Sequence, residues 1–142
     1  MHGFLTQVTE GMGSAIILDD IQDLTWLALA GGAGAMLRYV ASHWGRRLRG
    51  PDSYWRTLAI NLLGSFLFGF IWALAVEHDL IDAASRVILL VGFAGSFTTF
   101  SQFAHEVAEL GQENLRVGVT YAIGTNAGAI VLASAGFALG AI

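Results

Sequence analysis

The sequence predicts an all-α integral membrane protein with four transmembrane helices per subunit. Hydrophobic residues make up 55% of the chain and charged residues only 13%, and the mean hydropathy is +0.62. A soluble domain has about a quarter of its residues charged. Four apolar runs are each long enough to cross a bilayer, which takes about 20 residues. Polar stretches separate these runs. The predicted helices cover residues 24–44, 55–76, 87–107 and 117–141.

Residues 1–23 form an N-terminal extension ahead of the four-helix domain, residues 24–142. The extension contains no lysine or arginine and carries four acidic residues. A signal peptide has a basic start followed by an apolar core, so this stretch is not typical of one. The extension is expected to be either a flexible tail or a short interfacial helix.

The fourth apolar run contains pairs of glycines four residues apart. These pairs are Gly124/Gly128 and Gly136/Gly140. Because lipid gives helices no hydrophobic reason to associate, small residues at this spacing predict that two helices approach closely. Four helices alone barely enclose a pore, so the pattern also favours an oligomer.

The third apolar run is interrupted in its middle. Gly92 and Gly95 weaken a helix, and Thr98, Thr99 and Ser101 offer the backbone competing hydrogen bonds. Irregular backbone at membrane depth persists only where protein or a water-filled cavity satisfies its polar groups. The pattern therefore predicts either a helix broken mid-membrane, as at an ion site, or a glycine-kinked helix packed on its neighbours.

The arginines indicate how the chain is oriented. All seven basic residues are arginines. Most lie at or near the connections that follow the first and third helices, and Arg86 lies on the opposite side. The positive-inside rule places those two connections in the cytoplasm and both termini outside. The arginines on the cytoplasmic side are Arg38, Arg46, Arg47, Arg49, Arg56 and Arg116.

The absence of certain residue types argues against several functional classes. There is no cysteine, and the four histidines lie at or beyond the ends of the predicted helices without metal-ligand spacing. No Asp, Glu, Lys or His lies deep in an apolar run. A proton-coupled transporter needs a titratable group there, and a hydrolase needs a nucleophile and a base. Without a basic face, nucleic-acid binding is also not expected. We therefore expect no enzyme activity.

The candidate functional residues are neutral. Asn61 can donate to an anion or bond to another helix. Phe100 and Phe103 share a helix face, where they either pack or turn their partially positive ring edges toward an anion. Tyr121 and Thr125 are four residues apart, so their hydroxyls lie along one stripe.

Two charged residues lie nearer the helix ends. Arg38 is positioned either to extend to the membrane interface or to attract anions into a vestibule. Glu106 is expected to be an interfacial charge.

Three stretches resemble the Fluc (CrcB) family of fluoride ion channels. Gly31–Tyr39 looks like the family's glycine-rich first helix, which ends in arginine and an aromatic residue. Thr57–Gly69 looks like its second helix, centred on Asn61. The most specific stretch is Gly92–Phe103, a glycine-rich break followed by Thr-Thr-Phe-Ser-x-Phe. The hydroxyl stripe fits the family's fourth helix, and the resemblance extends from Leu24 to the C-terminus.

The resemblance implies a fold and a site. The family forms antiparallel, dual-topology homodimers with two pores, which give passive efflux of fluoride from the cytoplasm across the cell membrane. By position, the backbone carbonyls of Gly95 and Thr98 from both subunits are expected to hold a structural sodium ion (Na+) at the dimer interface. Arg38 and Glu106 are expected at the vestibules. The residues expected to line the fluoride pore are Asn61, Phe100, Ser101, Phe103, Tyr121 and Thr125.

The chain departs from the family pattern at three positions. Gln102 stands where a small hydroxyl residue is usual, Arg56 where glycine is common, and Ala129 where another hydroxyl often continues the stripe. The arginine bias is also stronger than a dual-topology protein is expected to show. A heterodimer with an oppositely oriented paralogue is therefore an alternative to the homodimer.

Two rival functions are weaker. A small four-helix multidrug-type exporter needs a carboxylate in its first helix, and residues 24–44 contain none. A non-transporting membrane scaffold explains the glycines. It does not explain the joint occurrence of Asn61, the Thr-Thr-Phe-Ser-x-Phe break and the hydroxyl stripe. The sequence therefore favours a fluoride channel that reduces fluoride toxicity.

Overall fold

The computed structural model describes residues 21–49 and 54–142. Within these ranges the protein contains helices and short connections and no strand. Four segments are long and apolar enough to cross a membrane, so the prediction of an all-α protein with four membrane-spanning helices is confirmed. Residues 1–20 of the predicted extension lie outside the described part of the chain. The four segments are Ile21–Arg46, Tyr54–Val76, Ala83–Glu113 and Leu115–Gly140.

The first two helices are continuous. Helix α1 covers Ile21–Arg49 and helix α2 covers Tyr54–Val76. We expected α1 to end near residue 44, but it continues through the arginine cluster. Arginine is a strong helix former, and no proline occurs before Pro51 to stop the helix.

The third segment is built from several pieces. Helix α3, Ala83–Val87, leads into a π-helical stretch at Ile88–Ala94 and then into helix α4, the single turn Gly95–Phe97. The backbone is extended at Thr98 (φ −76°, ψ 164°) and at Thr99 (φ −146°, ψ 114°). We call Thr98 and Thr99 the extended pair.

The remaining helices follow directly. Helix α5 covers Phe100–Glu113, and the Thr99 side chain caps it by accepting a hydrogen bond from the backbone N–H of Gln102. Helix α6 covers Leu115–Gly140 and is capped by Asn114. Because the cap at Thr99 satisfies an N–H at the start of α5, the chain can restart a helix immediately after the extended pair.

Glycines bring α2 and α6 into backbone contact. A Cβ atom on Gly69 would overlap the carbonyl of Ala133, and one on Gly136 would overlap the carbonyl of Phe66. The predicted close approach is thus present at the C-terminal half of α6. Gly124 is different, because a Cβ atom there meets nothing within 4 Å among the described residues.

Gly69→Ala should therefore destabilise the protein, because the added methyl group forces α2 and α6 apart. We expect a loss of about 1–3 kcal/mol in the free energy of unfolding, as is usual when a packed contact is overfilled. Gly124→Ala is the matched control, and it should be neutral or slightly stabilising because alanine favours helix. Thermal unfolding in detergent measures both variants. Equal stability of the two would contradict this account of the packing.

The tryptophans lie near both ends of the first two helices. Trp26 and Trp44 on α1 are 18 residues apart, and Trp55 and Trp72 on α2 are 17 apart. At 1.5 Å per residue these separations are about 27 and 26 Å. All four side chains are exposed. Tryptophans concentrate at the two membrane–water interfaces, so this placement is that of aromatic belts around a hydrocarbon core about 30 Å thick.

Candidate functional site

Asn61 bonds helix α2 to the extended pair. Its Nδ2 donates to the carbonyl oxygen of Thr99 at 3.1 Å, and the backbone N–H of Thr99 donates to its Oδ1 at 2.9 Å. The Ser65 hydroxyl donates to the Asn61 carbonyl at 2.8 Å. The side-chain amide of Asn61 therefore satisfies both polar groups of Thr99 that the interrupted helix leaves open. One of the two Nδ2 hydrogens remains for another acceptor.

The other member of the extended pair contacts α1 and α2. A Cβ atom on Gly64 would overlap the side chain of Thr98, so glycine is what admits this side chain. Arg38 Nη1 donates to the Thr98 carbonyl oxygen at 3.3 Å. Arg38 is half-buried in the described subunit. Its guanidinium thus contacts the extended pair and does not extend away from the neighbouring helices.

A cavity of about 210 Å³ opens beside the extended pair. It brings together residues that are far apart in sequence, including Asn61, both phenylalanines and Thr125. The Thr125 side chain is buried, and its hydroxyl has no hydrogen-bond partner among the described residues. The cavity is lined by Asn61, Ser65, Thr98, Thr99, Phe100, Phe103, Thr125, Asn126 and Ala129.

The two phenylalanines have very different surroundings. Their ring centroids are 5.9 Å apart with the planes tilted by 49°. Phe103 is buried, with 9% of its surface accessible, whereas Phe100 is 79% exposed. A single subunit therefore presents one ring inside the cavity wall and one ring projecting from its surface.

Glu106 is fully buried, although we expected it to be an interfacial charge. Its Oε1 accepts hydrogen bonds from the Thr57 hydroxyl at 2.7 Å and from Gln102 Nε2 at 3.0 Å. The Tyr121 hydroxyl donates to its Oε2 at 2.7 Å and lies 3.2 Å from the carbonyl oxygen of Tyr54. Donors on α2, α5 and α6 thus surround this carboxyl group, as burial of such a group requires. We refer to Thr57, Gln102, Glu106 and Tyr121 as the carboxyl cluster.

The structure divides the predicted pore residues between two places. Asn61, Phe100, Phe103 and Thr125 line the cavity, whereas Tyr121 belongs to the carboxyl cluster. The two places adjoin, because the rings of Phe103 and Tyr121 are 5.9 Å apart. Ser101 is exposed and does not line the cavity, and its hydroxyl lies 3.5 Å from that of Thr99.

Sequence reasoning missed Thr57 as a site residue. Thr57 is buried and precedes Asn61 by four residues, so the two share one face of α2. That spacing was the available signal. A threonine at the start of an apolar run is otherwise unremarkable, and its partner Glu106 lies 49 residues away in the chain.

Comparison with known proteins decides the family. The family model described as CrcB-like protein, Camphor Resistance (CrcB), matches residues 25–137. The chain belongs to this family. Among CrcB-like relatives, a protein from Nitrosococcus oceani named "Fluoride-specific ion channel FluC" is 43% identical over 122 residues, which cover 85% of this chain and 98% of the relative.

Two further relatives of the same name are similar over comparable lengths. The protein from Hahella chejuensis is 38% identical over 120 residues, covering 84% of this chain and 94% of the relative. The protein from Agrobacterium fabrum is 34% identical over 119 residues, covering 83% and 95%. The CrcB resemblance expected from the motifs is therefore confirmed.

Proposed function

We propose that this CrcB-like protein is a fluoride-selective channel of the cell membrane that gives passive efflux of fluoride from the cytoplasm. The observation that carries the proposal is the cavity, which is lined by the Asn61 side chain, two phenylalanine rings and several hydroxyl-bearing side chains. Hydroxyl, amide and ring-edge groups replace the water around a small anion. None of them is a fixed cation that would trap it, and conduction requires such weak binding. The relatives' names point to the same ion.

The break in the third segment is proposed to lie at mid-membrane. Trp55 and Trp72 place the middle of α2 near Gly64, midway between the two aromatic belts. The extended pair contacts α2 at this level, since Thr98 packs on Gly64 and Thr99 pairs with Asn61. The Asn61 amide would then satisfy the interrupted backbone where lipid offers no partner.

The working unit is proposed to be an antiparallel homodimer. Phe100 projects from the subunit beside the extended pair. The polar groups of the extended pair make this surface unsuitable for contact with lipid. A second copy would cover this ring and close the cavity. A heterodimer with an oppositely oriented paralogue is the alternative, because it would accommodate the arginine bias that a dual-topology homodimer is not expected to show. An exporter of the multidrug type is not favoured, because the described α1 carries no carboxylate beyond Asp23 in its first turn.

Sodium at the dimer interface is a further part of the proposal. The carbonyls of Gly95 and Thr98 lie at the end of α4, where helical carbonyls lack partners. The Thr98 carbonyl accepts a long hydrogen bond from Arg38 at 3.3 Å. The Gly95 carbonyl lies 3.4 Å from the Thr98 hydroxyl, which also donates to the Ala94 carbonyl at 3.1 Å. Neutral oxygens with a spare lone pair suit a hard cation. Two carbonyls from each of two subunits would hold the ion between the copies.

Replacing sodium with N-methyl-D-glucamine at constant ionic strength should therefore lower the melting temperature of the purified protein by several degrees. A ligand at 100 times its Kd stabilises the state that binds it by about 2.7 kcal/mol. Potassium chloride at equal concentration is the control for a general salt effect. Identical melting temperatures in all three solutions would remove sodium from the account.

The activity is tested first in cells. A bacterial strain that lacks its own fluoride exporter should regain growth in millimolar fluoride when it expresses this protein, and its sensitivity to chloride should not change. Expression of the membrane-inserted protein is verified by immunoblot. If growth in fluoride is not restored although the protein is present in the membrane, the proposed function is wrong.

A further inference from the structure

The carboxyl cluster raises a question that the proposed channel function leaves open. Glu106 is a fully buried carboxyl group one turn beyond Phe103, in a protein proposed to pass an anion. An ionised carboxylate and fluoride are attracted to the same partially positive ring edges. A carboxylate that turned toward the phenylalanines would therefore compete with fluoride for them. Something must hold it away.

Three hydrogen bonds hold Glu106 in place, and they differ in kind. Thr57 is buried and Tyr121 is half-buried, each on a neighbouring helix. Gln102 is exposed and lies on the same helix, one turn before Glu106. Its backbone is fixed by the cap, because its N–H donates to the Thr99 side chain. Gln102 thus contacts the extended pair through its backbone N–H and Glu106 through its side-chain amide.

The length of the Gln102 side chain suits this contact. Its Nε2 reaches Glu106 Oε1 at 3.0 Å, on the oxygen that also accepts from Thr57. A serine or threonine hydroxyl, the residue type usual in the family at this position, ends two bonds closer to the backbone. The glutamine amide therefore reaches the Glu106 carboxyl group, whereas a serine or threonine hydroxyl would be too short to reach it as well.

We propose that Gln102 is a positioning residue of the fluoride pathway. Its amide holds the Glu106 carboxyl group against Thr57 and Tyr121, and it thereby keeps this negative charge away from the rings of Phe100 and Phe103. The inference rests on the proposed fluoride channel function. It assigns a role in this chain to the position at which the sequence departs from the family pattern.

The test is fluoride efflux from liposomes for variants at positions 102 and 106. Gln102→Glu keeps the shape but replaces the donor with a second carboxylate. It should slow fluoride efflux about tenfold, because the two carboxylates repel each other and the Glu106 carboxylate loses a donor; a tenfold change corresponds to about 1.4 kcal/mol in the barrier. In a Glu106→Gln background the repulsion disappears and a hydrogen bond is again possible. There the same change should slow efflux less than about threefold, which is the signature of two coupled residues.

Matched controls separate this role from a structural one. Gln112→Glu adds the same charge at an exposed position on the last turn of α5 and should leave efflux unchanged. Should Gln102→Glu fail to elute as a folded protein, Gln102→Met removes the donor without adding charge and carries the same expectation of coupling to position 106.

The outcomes are distinguishable. Normal efflux from Gln102→Glu overturns the inference while the wild type still conducts and the channel proposal stands. Equal slowing in the wild-type and Glu106→Gln backgrounds also overturns it, because the effect then does not pass through Glu106. A wild-type protein that releases no fluoride overturns the channel proposal itself, and with it this inference.

Discussion

Asn61→Asp should slow fluoride efflux at least about 100-fold. The substitution places a negative charge in the cavity that we propose for an anion. Two like charges about 5 Å apart at an effective dielectric constant of 20 repel by about 3 kcal/mol, which slows passage about 100-fold. The substitution also removes the Nδ2 donor to the Thr99 carbonyl oxygen and turns a hydrogen bond of 3.1 Å into a repulsion. Efflux from liposomes at neutral pH measures the effect.

Asn114→Asp is the matched control for this substitution. Asn114 caps α6 by accepting a hydrogen bond from the backbone N–H of Arg116 at 3.0 Å, and aspartate caps helices equally well. This variant should conduct like the wild type. Sustained efflux from Asn61→Asp would mean that the Asn61 amide only bonds the extended pair and takes no part in the anion path.

Phe100→Ile should slow fluoride efflux about two- to tenfold. Isoleucine fills a similar space but has no partially positive ring edge, and an aromatic contact worth about 0.5–1.5 kcal/mol corresponds to this range of rates. The melting temperature should change little, because Phe100 is 79% exposed in the single subunit and isoleucine keeps most of the apolar surface that a second copy would cover. Efflux and thermal unfolding are measured on the same preparation.

The control for the ring is Phe68→Ile. Phe68 is also exposed, at 44%, and stacks on Trp72, but it does not line the cavity. We expect normal efflux from this variant. Unchanged efflux from Phe100→Ile, with Phe68→Ile as the reference, would place the Phe100 ring outside the pathway and restrict the site to Phe103 and the polar groups.

The four spans were predictable because their signals are local. Apolar runs of about 20 residues define membrane helices without reference to the rest of the fold. The Thr-Thr-Phe-Ser-x-Phe stretch likewise stands in one short segment, so its family resemblance needed no structure. The end of α1 was predicted wrongly because arginine is common both in polar connections and in the last turns of helices.

The carboxyl cluster was not predictable because its contacts are distant in sequence. Glu106 follows a histidine near the end of an apolar run, and a charge in that setting is typical of the interface. Its donors come from three helices, with Thr57 49 residues and Tyr121 15 residues away. Only the packing of α2, α5 and α6 shows that the buried Glu106 carboxyl group has hydrogen-bond donors around it.

The contact between Asn61 and Thr99 was likewise hidden. The sequence allowed Asn61 to be either a pore donor or a link between helices, and the two residues are 38 positions apart. The structure shows the link, and it leaves one amide hydrogen for the proposed pore. The Asn61 amide can therefore serve both as a link between helices and as a pore donor, although the local sequence pattern presented these roles as alternatives.

The most direct test is ion release from liposomes that contain the purified protein. Vesicles loaded with equal fluoride and chloride are diluted into an impermeant salt, and each ion is followed with its own electrode, with protein-free vesicles as the baseline. A fluoride-selective channel should empty the vesicles of fluoride within seconds and leave chloride inside. Release of both ions at similar rates, or of neither from a protein that elutes as a stable dimer, would contradict a fluoride-selective pathway through this cavity.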